Sequence, residues 1–292
     1  VTAWLSSAPA QNTTATMILQ VEQSPEVFAS IDGGSLRVVY PGSVLVLNGS
    51  RSTDPDEESV VWDSVQWSCT ALSGPNCTAP PSGSALLWDL TPELSSALPG
   101  IKDYTLTVAK HGRESTAAVR VQVVEVPVPE VQIINLERKY SASQRIMLEG
   151  TGTPAVAEYP DLTWLWSATA DGVSLDLAPI TTTPLTNKVL VVQADSLTVG
   201  IQYKFKLDAH DGRGTGSSQA DILLNACPTS GTVSVSPTEG QAVTDTFAIV
   251  ASGWVDEDLP LLYTFGYMES AETEVLLSTA ASSPSVSAVL PA

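Results

Sequence analysis

Basic residues are scarce in this sequence. Its 292 residues hold 13 Lys and Arg and 2 His against 32 Asp and Glu, a net charge of −19. A general nucleic-acid binder and a protein of anionic membrane surfaces both need a basic face, so both classes are excluded. Long apolar runs are missing too. Stretches such as Val189-Leu190-Val191-Val192 fall far short of the ~18 residues of a membrane span, so direct membrane insertion by this segment is not expected. No cleavable signal pattern opens the chain, which reads as an internal segment of something longer. There is no Gly-x-Ser-x-Gly elbow, no His-Glu-x-x-His, no Cys-x-x-Cys and no glycine-rich loop ahead of a helix. The chain is therefore expected to be no enzyme and to hold no cofactor or metal. Helical periodicity is absent throughout.

What remains is a folded chain. Apolar residues make up 43% and charged ones only 15%, which is not a disordered acidic composition. At roughly 100–200 residues per domain the length gives two or three domains, each large enough for its own core. Three N-glycosylation sequons, Asn12-Thr13-Thr14, Asn48-Gly49-Ser50 and Asn76-Cys77-Thr78, stand in a Ser/Thr-rich, Lys-poor chain and point to the outside of the cell. Cys69 and Cys77 fit a short local disulfide, the alternative being two unrelated buried thiols. By chain entropy such a ring contributes roughly 2.5 kcal/mol. Cys227 is left over, either free or paired beyond residue 292.

Internal repeats decide the fold class. Residues 1–22, 104–125 and 203–225 each read as an alternating strand, a polar turn and a second alternating strand, and Tyr104 and Tyr203 are 99 residues apart. Earlier elements recur as well: Pro25-Glu26-Val27 and Pro129-Glu130-Val131, Ser43–Leu47 and Arg145–Leu148, Val65–Ser68 and Thr163–Trp166. A further round begins with Gly231–Ser236, Thr246–Ala251 and Leu261–Tyr267. About 100 residues with seven short strands and an early Trp is the pattern of an all-β immunoglobulin-like or fibronectin-III-like sandwich. No pair of cysteines is placed to bridge two sheets, which favours the fibronectin-like branch. Tyr104 and Tyr203 stand where a tyrosine corner belongs. The expected organisation is a closing hairpin of a preceding sandwich over 1–24, sandwiches over 25–126 and 127–226, and an incomplete sandwich over 227–292. The linkers Val126–Pro129 and Cys227-Pro228 contain proline, so stiff joints and an elongated array are expected.

Candidate chemistry is thin. His111 and His210 follow equivalent strands in two modules, beside Gly112 and Gly212, and read as turn residues and not as a catalytic pair. Asp54–Glu58 and Asp256–Asp258 are oxygen-rich loops. Such loops can hold Ca²⁺, but both lack EF-hand spacing and read first as solvated turns. Trp67, Trp164 and Trp166 are expected in a core and not on a carbohydrate platform, with half exposure of Trp164 and Trp166, which share one face, as the alternative.

Leu47–Glu57 (LNGSRSTDPDE), then Val65–Cys69 (VQWSC) and Cys77, resemble the receptor-for-egg-jelly (REJ) region of polycystins and its PKD-like repeats. Gly231–Thr238, Ser252–Pro260 (SGWVDEDLP) and Tyr263–Tyr267 continue the resemblance, and Ser-Gly-Trp-x-Asp-Glu-Asp is its most specific part. The resemblance implies an ectodomain segment of a large cell-surface receptor, often ciliary. Its partners would be surface proteins and, through the parent protein, a polycystin-type cation channel. Its role would be adhesion, ligand sensing or force transmission. Two rivals stand beside it: a secreted or wall-associated adhesin or carbohydrate-binding module, and an accessory domain of a glycoside hydrolase.

Overall fold

The computed structural model describes residues 2–5, 8–14, 24, 26–57, 60–81, 83, 85–156, 158–270 and 273–291, with the backbone alone for 2–14 and 270. Strands β1 (Thr2–Leu5) and β2 (Ala8–Thr14) form an antiparallel hairpin that pairs with no other described strand.

The first sandwich follows. Its strands are β3 (Leu36–Val39), β4 (Val46–Asn48), β5 (Ser64–Ser73), β6 (Leu87–Asp89), β7 (Gly100–Lys110) and β8 (Arg113–Val123), with a one-turn helix α1 (Thr91–Leu94) after β6. Along β7, Tyr104, Leu106 and Val108 point inward while their neighbours point outward, the two-residue period of a half-buried strand. The chain reverses at His111 and Gly112, both with positive φ (48° and 77°), the geometry a two-residue hairpin turn requires. Strands β5, β7 and β8 run antiparallel, and β3 joins β8 in parallel. Strands β4 and β6 form the facing layer, extended by the bridge from Phe28 to Thr53. Trp67, Trp88 and Tyr104 meet edge to face inside, with centroids 5.9 and 5.1 Å apart.

The second sandwich repeats the plan with β9 (Glu130–Ile134), β10 (Tyr140–Ser141), β11 (Ile146–Thr153), β12 (Thr163–Ala170), β13 (Val173–Leu175), β14 (Val189–Val192), β15 (Tyr203–His210), β16 (Thr215–Ile222) and β17 (Leu224–Asn225). One layer is β14-β11-β9 and the other β13-β12-β15-β16. Ile133, Leu148, Leu190, Phe205 and Leu207 are fully buried between them. Trp166 is only 2% exposed and donates its indole N–H to the Asn187 carbonyl. Trp166 thus lies in the core as expected, and Trp164 packs partly buried against it. The phenol of Tyr203 accepts the Thr198 backbone N–H at 2.9 Å, a true tyrosine corner. Tyr104 makes no such corner. Its hydroxyl points 3.4 Å from the carboxylate of Glu93, and burial followed by that negative charge pushes the phenol pKa up.

The joint between the two sandwiches is not a free proline linker. Strand β3 of the first lies between its own β8 and β16 of the second, so one eight-stranded sheet runs β13-β12-β15-β16-β3-β8-β7-β5 through both modules. The array grows edge to edge across this sheet, and the shared strand sets the angle between the sandwiches.

The third unit carries β18 (Thr232–Ser236), β19 (Thr246–Ser252), β20 (Gly266–Ser270), β21 (Thr273–Leu276) and β22 (Ser285–Val289). One sheet is β18-β19-β22 and a separate pair is β20-β21. Its buried cluster is small: Ile249, Ala251 and Phe265, with Tyr263, Leu277 and Val286 against them.

Candidate interaction site at the module junctions

The seam between the first two modules is built on two glycines. Gly33 and Gly34 take φ of 90° and 99°, in the left-handed region that favours glycine. A Cβ on Gly34 would stand 2.2 Å from the Gln219 carbonyl oxygen, and one on Gly33 would stand 2.0 Å from the Arg37 guanidinium. Without side chains here, the Ser35 N–H reaches the Gln219 carbonyl at 2.6 Å, and Leu36 and Arg37 pair with Gln219 and Ser218.

Arg37 fills the seam. It is 4% exposed and donates to the carbonyls of Asp32, Gly34 and Leu36 and to Oγ of Ser218. Burial lowers its pKa to about 10, partly opposed by the charge of Asp32, so it remains a cation at neutral pH. Ser218, itself fully buried, donates back to the Gly33 carbonyl at 3.0 Å, and Ile133 N–H reaches the same oxygen at 3.3 Å. Two outer bonds frame the seam: Val44 N–H to Glu130 Oε1 at 3.0 Å and Tyr40 hydroxyl to the Ala155 carbonyl at 3.1 Å.

A second junction brings all three units to one residue. Arg138, in the loop between β9 and β10, lies with its guanidinium carbon 4.0 Å from the ring centroid of Phe28 in the first module. Its Nη2 donates to Asp258 Oδ1 of the third unit at 2.7 Å. Lys139 beside it donates to Glu257 Oε1 at 3.0 Å and Asp258 Oδ2 at 2.8 Å. The hydrogen bond from Lys139, then Arg138, holds the Asp258 carboxyl below its usual range, against the opposing effect of burial. Burial works against the Lys139 ammonium, but its two carboxylate partners raise its pKa. An open groove of about 610 Å³ lies beside Phe28 and Arg138, with walls from both sandwiches.

The acidic loops thus differ from the solvated turns expected of them. Asp54 is buried, and Arg113 forks onto it at 2.7 and 3.1 Å while also reaching Asp56 at 2.9 Å. Asp256 caps its own turn by accepting the Asp258 N–H at 2.8 Å. Among the described residues no three His, Cys, Asp or Glu side chains are grouped to hold a metal. His111 lies in the β7–β8 turn, and the His210 ring bonds the Gly214 carbonyl at 2.8 Å within the β15–β16 turn.

Cys69 on β5 is joined to Cys77 in the loop that follows, with Cα atoms 6.0 Å apart, and Cys227 is an exposed free thiol. Asn48 ends β4, and its side-chain oxygen accepts the Ser50 N–H at 2.9 Å. Asn76 stands in the disulfide loop, where the sequon hydroxyl of Thr78 is bonded to Glu93 at 2.5 Å. Asn12 lies within β2, paired with Trp4, and its side chain is outside the described residues. Sequence reasoning missed Arg37 and the partner of the Asp256–Asp258 loop. One signal for the latter was there: Arg138-Lys139 is the only adjacent pair of cations in the chain.

Two sandwiches thus share one sheet, and ion pairs tie the third unit to the second. The family model for the REJ domain matches residues 1–292, and the chain belongs to that family, the extracellular REJ module of polycystins. Among solved structures it is similar to domains A168–A170 of titin, with 12% identity, 90% of this chain and 88% of that chain covered, and a TM-score of 0.31. It is also similar to extracellular domains 3–5 of Drosophila OTK, with 13% identity, 74% of this chain covered and a TM-score of 0.26; the chain spans 66% of that structure. Fibronectin(III)-like modules of Clostridium thermocellum CbhA match at 11% identity over 67% of this chain and 94% of theirs, with a TM-score of 0.26. No helix among the described residues is long and apolar enough to cross a membrane.

Proposed function

We propose that this chain is a non-enzymatic, force-bearing interaction segment in the ectodomain of a large polycystin-like receptor on the cell or ciliary surface. It holds adhesive or ligand-binding surfaces at fixed positions and passes displacement towards a cation-channel partner of the parent protein. Its described sequons serve as glycan sites at Asn48 and Asn76, with Asn12 a third. The observation that supports the reading most is the shared strand: β3 is hydrogen-bonded to the second sandwich on one edge and to the first on the other. Modules joined only by linkers yield one by one, whereas modules joined by a common sheet transmit load through their cores.

Single-molecule pulling on the chain between its ends tests this. The two sandwiches are expected to yield in one coupled event, and Gly34→Ala, which sets a methyl group against the Gln219 carbonyl, is expected to split it into two weaker ones. Two independent events in the unsubstituted chain, unaltered by Gly34→Ala, would remove the force-bearing role.

A further inference from the structure

Asn48 lines a groove that crosses the seam between the two sandwiches. On the paired strands β4 and β6, Leu47 and Trp88 point into the first core, so Val46, Asn48 and Leu87 share the outer face. Val46 and Leu87 are 47% and 51% exposed there. Together with Ile31 of the same sandwich and Ile134 and Leu136 of the second, these three residues line an open groove of about 580 Å³.

The sequon is held for access. Gly49 is turned inward, where a Cβ would stand 2.4 Å from the Leu106 side chain, while Ser50 is exposed. The Asn48 side-chain oxygen accepts the Ser50 N–H at 2.9 Å, which orients the amide. Its Nδ2, the atom a glycan joins, has no hydrogen-bond partner among the described residues, and neither has the Ser50 hydroxyl. In the Asn76 sequon, by contrast, the Thr78 hydroxyl is tied to Glu93.

The shape of the groove favours a tethered occupant. Its open side gives a free ligand few walls, whereas a short covalent link supplies a millimolar effective concentration and asks for little affinity. A sugar joined to Asn48 also has matching chemistry. The C–H faces of its ring and the methyl of an N-acetyl group are apolar, like Val46 and Leu87, and its hydroxyls can pair with Arg51 and Gln132, which line the same groove. Leu87 lies directly across from Asn48, and Cβ atoms in such pairs are about 5 Å apart, within reach of the first sugar.

We propose that the N-glycan of Asn48 folds back into this groove, its first N-acetylglucosamine covering Val46 and Leu87 and bridging to Ile134 and Leu136. This rests on the reading of Asn48 as a glycan site and adds where the sugar lies and what it does. It covers an apolar patch that would otherwise invite association, and it ties the two sandwiches together across their seam.

The test uses the full chain secreted from cells that leave high-mannose glycans, with Asn12→Gln and Asn76→Gln removing the other sequons. Trimming with endoglycosidase H leaves one N-acetylglucosamine. With a ¹³C-labelled N-acetyl group, its methyl is expected to show nuclear Overhauser contacts to the methyls of Val46 and Leu87. Hydrogen exchange at Val46–Asn48 and Leu87–Asp89 is expected to be about tenfold slower than in Ser50→Ala, which loses the sugar but keeps Asn48 and its bond to the residue 50 N–H. Leu87→Ser should retain the glycan and lose most of that protection. Mass spectrometry separates the two readings. An unoccupied Asn48 overturns both the glycan site and the groove. An occupied Asn48 with no such contacts, and with exchange equal to that of Ser50→Ala, overturns the groove alone. A mass in sedimentation that rises with concentration in the glycosylated chain, and that Leu87→Ser returns to one chain, would assign the groove to a second copy and also overturn the proposal.

Discussion

Arg138 rests 4.0 Å above the ring of Phe28, and the guanidinium that makes this contact is also bonded to Asp258. Phe28 belongs to the first sandwich, Arg138 to the second and Asp258 to the third unit, 120 residues further along the chain than Arg138. A planar cation suits both contacts at once: its face stacks on an aromatic ring while its edge donates in plane to a carboxylate. Lysine at 138 could serve the second contact but not the first.

The junction should respond to salt and pH. Arg138 and Asp258 are 44% and 25% exposed, so the pair is worth less than about 1 kcal/mol and is screened by salt. Asp258 has a folded pKa below 3.8, so its contribution is complete above that value and is lost as pH falls through the folded pKa. Lys139 has a folded pKa above 10.5, so its contribution is complete below that value and is lost as pH rises through the folded one. Hydrogen-exchange protection at Asp256–Asp258, taken relative to the intrinsic rate at each pH, is expected to be greatest between those limits and to fall in Arg138→Ala. Exchange independent of both salt and Arg138 would show that the loop is held by something else.

Arg37 is a different kind of residue. Its guanidinium donates to the carbonyls of Asp32, Gly34 and Leu36 and to Ser218, the bonds to Gly34 and Ser218 being buried, and Arg37→Met removes these donors. At about 1–3 kcal/mol for an unsatisfied buried group, with some relief from local shifts, the loss should be about 3 kcal/mol. Urea denaturation measures it. Arg37→Lys should recover only part, because an ammonium cannot fork to the same acceptors.

Overall shape follows from the seam. A compact body of this length has a radius of gyration of about 19 Å. Small-angle scattering is expected to give a value well above that, since the two cores sit side by side along one sheet and a third unit follows. Gly34→Ala should raise it further by freeing β3 from β16. A radius near that of the compact body would contradict the elongated array.

The disulfide and the Asn76 sequon compete. Both cysteines should resist a thiol probe until reductant is added, and losing the bridge should cost roughly 2.5 kcal/mol by chain entropy. Cys77 is the middle residue of the sequon, and Thr78 is tied to Glu93. Mass spectrometry of secreted protein is expected to find Asn48 more fully glycosylated than Asn76. Joint replacement of Cys69 and Cys77 by Ser should raise occupancy at Asn76. Equal occupancy before and after would show that folding does not limit transfer.

Strand character and inward faces were decided by the sequence. The run Tyr203-Lys204-Phe205-Lys206-Leu207-Asp208-Ala209 alternates so strictly that only one face can be buried, and the structure buries Tyr203, Phe205, Leu207 and Ala209. Gly112 and Gly212 marked turns because positive φ carries no penalty at glycine. Trp67 and Tyr203 were legible as core and corner for the same local reasons. The sharing of β3 was not legible. Two-residue periodicity tells which face of a strand is buried but not which strand lies at its edge, since backbone donors and acceptors are the same in every residue. The pairing of Gly34–Arg37 with Ser218 and Gln219 spans more than 180 residues, and it depends on two glycines leaving room where the backbones meet. Likewise, Asp256–Asp258 and Arg138-Lys139 each look like a solvated charge run. Only the tertiary structure decides that they face one another, because the attraction between charges acts on distance in space and leaves no mark in the local pattern of the chain.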